Sequence, residues 1–122
     1  MAMAMDEGAP SAAQVRDEIA REILRVHEES YGTGATALDV QISDDTVLIV
    51  IDVELTPAER TLIDASQHEA VKATREAFQQ AIAATFGAIV ERATGRRVTS
   101  FLSAMSVEGL YSVEFFRLEP RA

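Results

Sequence analysis

The chain repeats one order of sequence features after 63 residues, and this repeat limits its fold more than any other feature. In each half, a helical apolar stripe is followed by a glycine, an alternating segment, a turn, a second such segment and a proline. The shift pairs Gly32 with Gly95 and Pro57 with Pro120. It also superimposes two apolar stripes, namely Val15, Ile19, Ile23 and Val26 on Phe78, Ile82, Phe86 and Ile89. We therefore predict two αββ units, at residues 12–57 and 75–120.

Three capping boxes predict where helices begin, because each pairs a hydroxyl side chain with a Glu or Gln three residues later. The pairs are Ser11 with Gln14, Thr56 with Glu59, and Ser66 with Glu69. They predict a helix over about residues 11–30, a short one over 57–64 and a long one over 67–93. The apolar stripe of the long helix is expected to consist of Val71, Thr74, Phe78, Ile82, Phe86 and Ile89.

Four segments of alternating or β-branched residues predict the strands of one sheet. They are residues 37–42, 46–54, 98–105 and 110–118. The last segment does not keep its apolar residues on one parity, which predicts either a bulge or a strand covered on both faces.

Together the helices and strands predict an α+β fold, in which a four-stranded antiparallel sheet carries the two main helices on one face. The order of elements is that of a circularly permuted ferredoxin-like fold with a long second helix. The length of 122 residues predicts a single domain, which we place at residues 11–122. Residues 1–10 are expected to form a disordered tail.

Two glycine-containing segments, YGTGAT (31–36) and TGRRVT (94–99), raise the question of a phosphate site. Gly32 and Gly95 each follow the last turn of a predicted helix, where a left-handed glycine commonly ends the helix. Phosphate groups prefer the opposite end of a helix, where free N–H groups lie. YGTGAT also lacks the lysine of a P-loop. We therefore interpret both glycines as helix caps, with Arg96 and Arg97 complementing the negative end of the helix.

The net charge of −9 has the wrong sign for a protein whose main task is to bind nucleic acid or to lie on an anionic membrane, so no nucleic-acid partner is expected. No segment approaches the roughly 20 apolar residues of a membrane span, and the first ten residues do not resemble a signal peptide. We expect a cytoplasmic location.

Residues that could carry chemistry are sparse. The chain has no cysteine, and neither His27 nor His68 has a second histidine at helical spacing. We expect surface or cap roles for both histidines. No metal, cofactor or catalytic set is predicted, and an enzyme is the least favoured class.

Two features favour a homodimer. Alanines line one side of the long helix and would let another backbone approach, although the high helix propensity of alanine explains them equally well. They are Ala70, Ala73, Ala77, Ala81, Ala84 and Ala88. In the second strand, Leu48 and Val50 are apolar on the face opposite Val47, Ile49 and Ile51, so both faces of the sheet require cover.

Several segments together resemble the bacterial MpsC-like family: YGTGAT, a DD turn before VLIVI, ELTPAERTLID, TREAFQQAI and ERATGRRVTSFLS. The similarity covers residues 15–119, and LTPAE and TGRRVTSFLS are its most specific parts. The segment AMSVEGLYS (104–112) departs from the family pattern, in which a more polar turn is expected.

The name of this family implies a Na+-translocating, membrane-potential-generating system. The resemblance therefore implies a non-catalytic accessory or regulatory protein of a membrane ion or bicarbonate transport system. Such a protein would contact a transporter subunit at the inner face of the membrane. The resemblance assigns no catalytic residue to any position of this chain.

A second hypothesis stays open, because ferredoxin-like dimers often bind small ligands beside their sheets. Under it the protein is a dimeric sensor of an anion or a nucleotide. Tyr31, Arg96 and Arg97 are the candidate ligand-binding residues, since an anion requires cationic or hydrogen-bonding donors.

Overall fold

The computed structural model describes residues 10–32 and 37–121 of the chain. The helices are α1 (Ala12–Tyr31), α2 (Pro57–Asp64), α3 (His68–Ala81) and α4 (Ala83–Thr94). The strands are β1 (Ala37–Ser43), β2 (Thr46–Asp52), β3 (Val98–Ser106) and β4 (Tyr111–Leu118). This arrangement confirms the predicted α+β class. Most of the predicted tail, residues 1–9, lies outside the described residues, as do residues 33–36 of YGTGAT.

The four strands form one antiparallel sheet in the order β1-β2-β4-β3. Two hairpins, β1-β2 and β3-β4, meet where β2 pairs with β4, with Thr46 opposite Arg117 and Ile51 opposite Ser112. The succession α-β-β-α-β-β is the ferredoxin-like order with its first strand moved to the end. The bulge considered for the fourth strand lies in β3 instead, between Val98 and Ser100. The internal sequence repeat stays a prediction.

The core lies between the helices and one face of the sheet. Alternate residues of β2 are buried, because successive side chains of a strand point to opposite faces. α1, α3 and α4 each bury one stripe against this face of the sheet, at the three-to-four spacing expected of an amphipathic helix. The buried apolar residues at the centre are Val47, Ile49 and Ile51 on β2, Ile19 and Ile23 on α1, and Phe86, Ile89 and Val90 on α4.

The long helix predicted over residues 67–93 is divided into two helices that meet at Ile82. The backbone of Ile82 has φ −99° and ψ 6°, outside the helical range, while the helix continues on either side. α3 lies against β3, and α4 lies against both α1 and β3. The predicted apolar stripe was wrong at Thr74, which is exposed; Arg75 is buried in its place.

Local chemistry sets most of the helix ends as predicted. Ser11 and Thr56 form complete capping boxes, with hydroxyl groups accepting from N–H groups three residues later. Gly32 and Gly95 have positive φ angles of 72° and 69° and cap α1 and α4, which confirms their interpretation. The third capping box was wrong: Ser66 has φ 61°, whereas an N-cap residue requires an extended backbone, and α3 begins without a side-chain cap.

Candidate functional site

A cluster of polar side chains is buried between the helices and the sheet. It surrounds a small cavity that is lined by residues of α1, α3, α4, β2 and β4. The cavity has a free volume of about 10 Å³, roughly the space that one water molecule requires. We call these residues the polar cluster: His27 and Tyr31 of α1, Arg75 and Gln79 of α3, and Ser112 and Glu114 of β4.

Arg75 is the best-satisfied member of the polar cluster, although its side chain is almost completely buried. Its Nε and Nη2 atoms donate to the two carboxylate oxygens of Glu59, both at 2.7 Å, and Nη2 also donates to the carbonyl oxygen of Glu54 at 3.0 Å. The guanidinium carbon lies 4.1 Å from the ring centroid of Tyr31, a cation–π contact. Arg75 therefore fixes α2, α3 and the end of α1 to one another.

The ionisable partners of Arg75 respond to this environment. Burial alone would raise the pKa of Glu59, but hydrogen bonds from Arg75 and from the backbone of Thr56 bring that pKa below its usual 4.5. Burial raises the pKa of Tyr31 to about 12, and the nearby positive charge of Arg75 offsets only part of this effect. At neutral pH an ionised Glu59 therefore pairs with Arg75 of the polar cluster, beside the neutral phenol of Tyr31.

Glu114 is the least satisfied member of the polar cluster. Its side chain has 0 % exposure, and neither of its carboxylate oxygens has a hydrogen-bond partner among the described residues. The hydroxyl of neighbouring Ser103 donates its single hydrogen to Oε1 of Gln79 at 2.8 Å. Burial raises the pKa of Glu114 to about 7. Near neutral pH a substantial fraction of this carboxyl group is protonated.

His27 does not have the surface or cap role predicted for it, since it is buried in the polar cluster. Its ring lies 4.9 Å from that of Tyr31, one helical turn later, and the ring of Tyr31 lies 4.9 Å from that of Phe78. α3 covers the last turns of α1, so residues at this end of α1 are buried on a wider arc than the apolar stripe indicates. Tyr31, a predicted ligand-binding residue, is thus part of an interior ring stack.

The outer side of the sheet carries an apolar surface that no described element covers. Leu102 is 68 % exposed, and the other members are partly exposed. Cross-strand pairing makes them neighbours, because Phe115 is opposite both Leu48 and Leu102. We call this surface the open face, and its apolar members are Leu48 and Val50 on β2, Val113 and Phe115 on β4, and Leu102 and Ala104 on β3. The prediction that both faces of the sheet are apolar is confirmed.

Comparison with known protein families identifies the family of this chain. Residues 11–119 match the family described as Na+-translocating membrane potential-generating system (MpsC). The chain belongs to the MpsC family. No curated protein and no solved structure shows significant similarity to it. Within residues 10–32 and 37–121, no helix is long and apolar enough to cross a membrane. Nor do these residues bring together three acidic, histidine or cysteine side chains that could hold a metal ion.

In this MpsC-family chain the predicted ligand-binding residues do not converge. Tyr31 lies near the end of the sheet where Ile51 pairs with Ser112. Arg96 lies at the opposite end, where it donates to the carbonyl oxygens of Asp44 and Glu119 and to the carboxylate of Asp45. These bonds tie the end of α4 to the β1-β2 turn and to the segment after β4.

Arg97 is exposed beside a shallow surface hollow of about 210 Å³. The hollow is lined by Gly95, Arg96, Arg97, Glu119, Pro120 and Arg121, so that three arginines surround it. Arg96 and Arg97 therefore lie together at this hollow, apart from Tyr31.

The sequence analysis missed the charged members of the polar cluster. Arg75 follows Val71 by four residues, and this spacing places both on the same face of α3. Glu114 lies between Val113 and Phe115, in a strand that was already predicted to be unusual. Both signals are present in the sequence, but charged side chains are rarely buried, so neither residue is among the predicted candidates.

Proposed function

We propose that this protein is a non-catalytic accessory or regulatory member of the Na+-translocating, membrane-potential-generating system that its family description names. It acts through protein–protein contacts, as a homodimer in the cytoplasm that meets a transporter subunit at the inner face of the membrane. The open face is the observation that carries the proposal.

Exposure of the open face to water is energetically unfavourable. Burying apolar surface is favourable by roughly 25 cal/mol per Å², and a contiguous apolar surface with a polar border is typical of a protein contact site. Polar residues of β1, Asp39 and Gln41, border the open face on one side. The apolar members lie on paired strands, so they present a rigid surface that needs no reordering before it binds.

A crosslinked affinity pull-down of the tagged chain from its native cells tests this function. Membrane and soluble fractions are analysed separately by mass spectrometry. We expect a polytopic membrane protein to be enriched with the wild-type chain relative to an untagged strain. Recovery of the tagged chain alone, from the soluble fraction, would refute the accessory role.

A second candidate function is a sensor of a small anion or a nucleotide, which the arginine-lined hollow favours. Arg97 can supply donors to an anion there, whereas Arg96 already donates to three oxygens of the protein. Thermal unfolding with phosphate, bicarbonate and nucleotides is the test, because a ligand that binds only the folded state raises Tm. The rise should be lost in Arg97→Ala and kept in Arg21→Ala, an exposed arginine of α1. No rise with any of these anions argues against this function.

A further inference from the structure

We propose that a second copy of this chain covers the open face, with the two sheets packed face to face and their strands running in opposite directions. The proposal rests on the proposed function, since it assigns the open face to the contact within the homodimer; a transporter subunit would then contact another surface of that dimer. A two-fold axis that lies between the sheets, perpendicular to the strands, generates the arrangement. Such an isologous contact uses the same surface on both copies, which must therefore be complementary to itself.

The side chains of the open face are complementary to one another in size. A row of large residues crosses the sheet and consists of Leu48, Phe115 and Leu102. The next row, two residues further along each strand, consists of the smaller Val50, Val113 and Ala104. An axis between these two rows places the large row of each copy over the small row of the other. Large against small lets the two layers interdigitate at the sheet separation of about 10 Å found in β-sandwiches.

The ends of the open face are complementary in charge. At one end Arg117 of β4 is exposed on the outer side of the sheet, opposite Thr46. At the other end Asp52 of β2 is exposed and pairs with Tyr111 of β4, whose side chain is 40 % exposed. The same rotation brings each Arg117 over Tyr111 of the partner subunit, beside Asp52 of the partner subunit. A guanidinium group is attracted both by an aromatic face and by a carboxylate.

The alternative two-fold arrangement is unfavourable both in side-chain size and in charge. An axis parallel to the strands, above β4, would place large residues over large residues and bring the two Arg117 side chains together. An anionic membrane is a poor occupant of the open face as well, because the chain carries a net charge of −9. A second copy has the same net charge but places a group of opposite sign near each end of the open face.

Sedimentation equilibrium of the purified full chain tests the proposal without any other protein. At 0.15 M salt, where repulsion between the two net charges is screened over about 8 Å, we expect a dimer. Leu102→Lys should weaken the dimer at least about thirtyfold, because it replaces the most exposed apolar side chain of the open face by an ammonium group that would face the apolar surface of the partner subunit. Leu62→Lys is the matched control: Leu62 is 37 % exposed on α2, away from the open face, and its replacement should leave the dissociation constant unchanged.

A charge exchange tests the direction of the strands. Arg117→Asp and Asp52→Arg should each weaken the dimer at least about tenfold, and the double variant should recover most of the loss, since it restores opposite charges. Circular dichroism checks that each variant is folded. A wild-type chain that is monomeric at millimolar concentration would overturn the second copy as the occupant. A dimer that tolerates Leu102→Lys, or that is not recovered by the double exchange, would overturn this arrangement.

The two experiments can fail separately. A monomer in sedimentation together with a membrane protein in the pull-down would refute the second copy and leave the accessory role in place. A dimer with the expected variant effects, but no membrane protein in the pull-down, would refute the accessory role alone.

Discussion

Replacing Glu114 by glutamine should stabilise the protein more at alkaline pH than at acidic pH. The substitution removes a carboxyl group that is buried in the folded state without a hydrogen-bond partner. Burial raises the pKa of this carboxyl group from 4.5 to about 7. Below pH 4.5 the group is protonated in both the folded and unfolded states and has no effect. As the pH rises, the unfolded state loses this proton first, so the free energy of unfolding falls until the folded state also ionises near pH 7.

The size of the effect follows from the same pKa. Each tenfold difference in proton affinity corresponds to 1.36 kcal/mol, so the wild-type protein loses about 3 kcal/mol in total. Between pH 5 and pH 8 the difference in stability between Glu114→Gln and wild type should change by about 2–3 kcal/mol in favour of the variant. Comparing the two pH values cancels the cost of burying the glutamine amide, which is the same at both.

Urea unfolding at pH 5 and pH 8, followed by far-UV circular dichroism at one protein concentration, measures this change. Circular dichroism suits the chain because it has no tryptophan. Glu108→Gln, in the exposed β3-β4 turn, is the matched control and should change stability equally at both pH values. If the effect of Glu114→Gln were independent of pH, Glu114 would have to be satisfied in the folded state, and the reasoning would be wrong.

Three further predictions use the same unfolding measurement. Glu59→Gln should cost about 3 kcal/mol, because it leaves Arg75 buried without its counter-charge; a loss below about 1 kcal/mol would contradict the buried pair. Gly95→Ala should destabilise the protein by about 1–2 kcal/mol, because Gly95 has a positive φ angle. Gly87→Ala should stabilise it by about 0.5–1 kcal/mol, because Gly87 lies inside α4 with open space around it. Effects of the same sign at both positions would contradict these two backbone conformations. Arg96→Ala should cost about 1–2 kcal/mol through its lost bonds to three oxygens, and an unchanged stability would show that these bonds are not formed.

Local features of this fold could be predicted from the sequence because they depend on residues close together in the chain. The cap at Thr56 requires only a hydroxyl and a glutamate three residues later, and both are present. Gly32 and Gly95 end their helices because glycine adopts positive φ angles without a steric cost. Alternation in β2 correctly predicted that Leu48 would lie on the outer side of the sheet.

Features that depend on tertiary packing could not be predicted in the same way. No glycine, proline or capping side chain marks the break at Ile82, so its position follows from how α3 and α4 pack on the sheet. Ser66 is a residue type that commonly caps helices, but the tight connection from α2 gives it a positive φ angle. The burial of Arg75 requires Glu59 to be brought next to it from 16 residues away, and no local pattern encodes that distance.

The side-chain polarity of β4 also affects how the chain chooses its strand register during folding. The strand directs Ser112 and Glu114 towards the helices, and Val113 and Phe115 towards the open face. A slip by one residue would exchange these sets, which in most half-buried strands exposes the apolar side and is strongly disfavoured. Here the slip would place Val113 and Phe115 in the core, but it would also expose Phe116 and Leu118 and turn the charged Arg117 towards the helices. The register of β4 is therefore specified by the residues at its C-terminal end and by its two neighbouring strands, more than by the alternation at its centre.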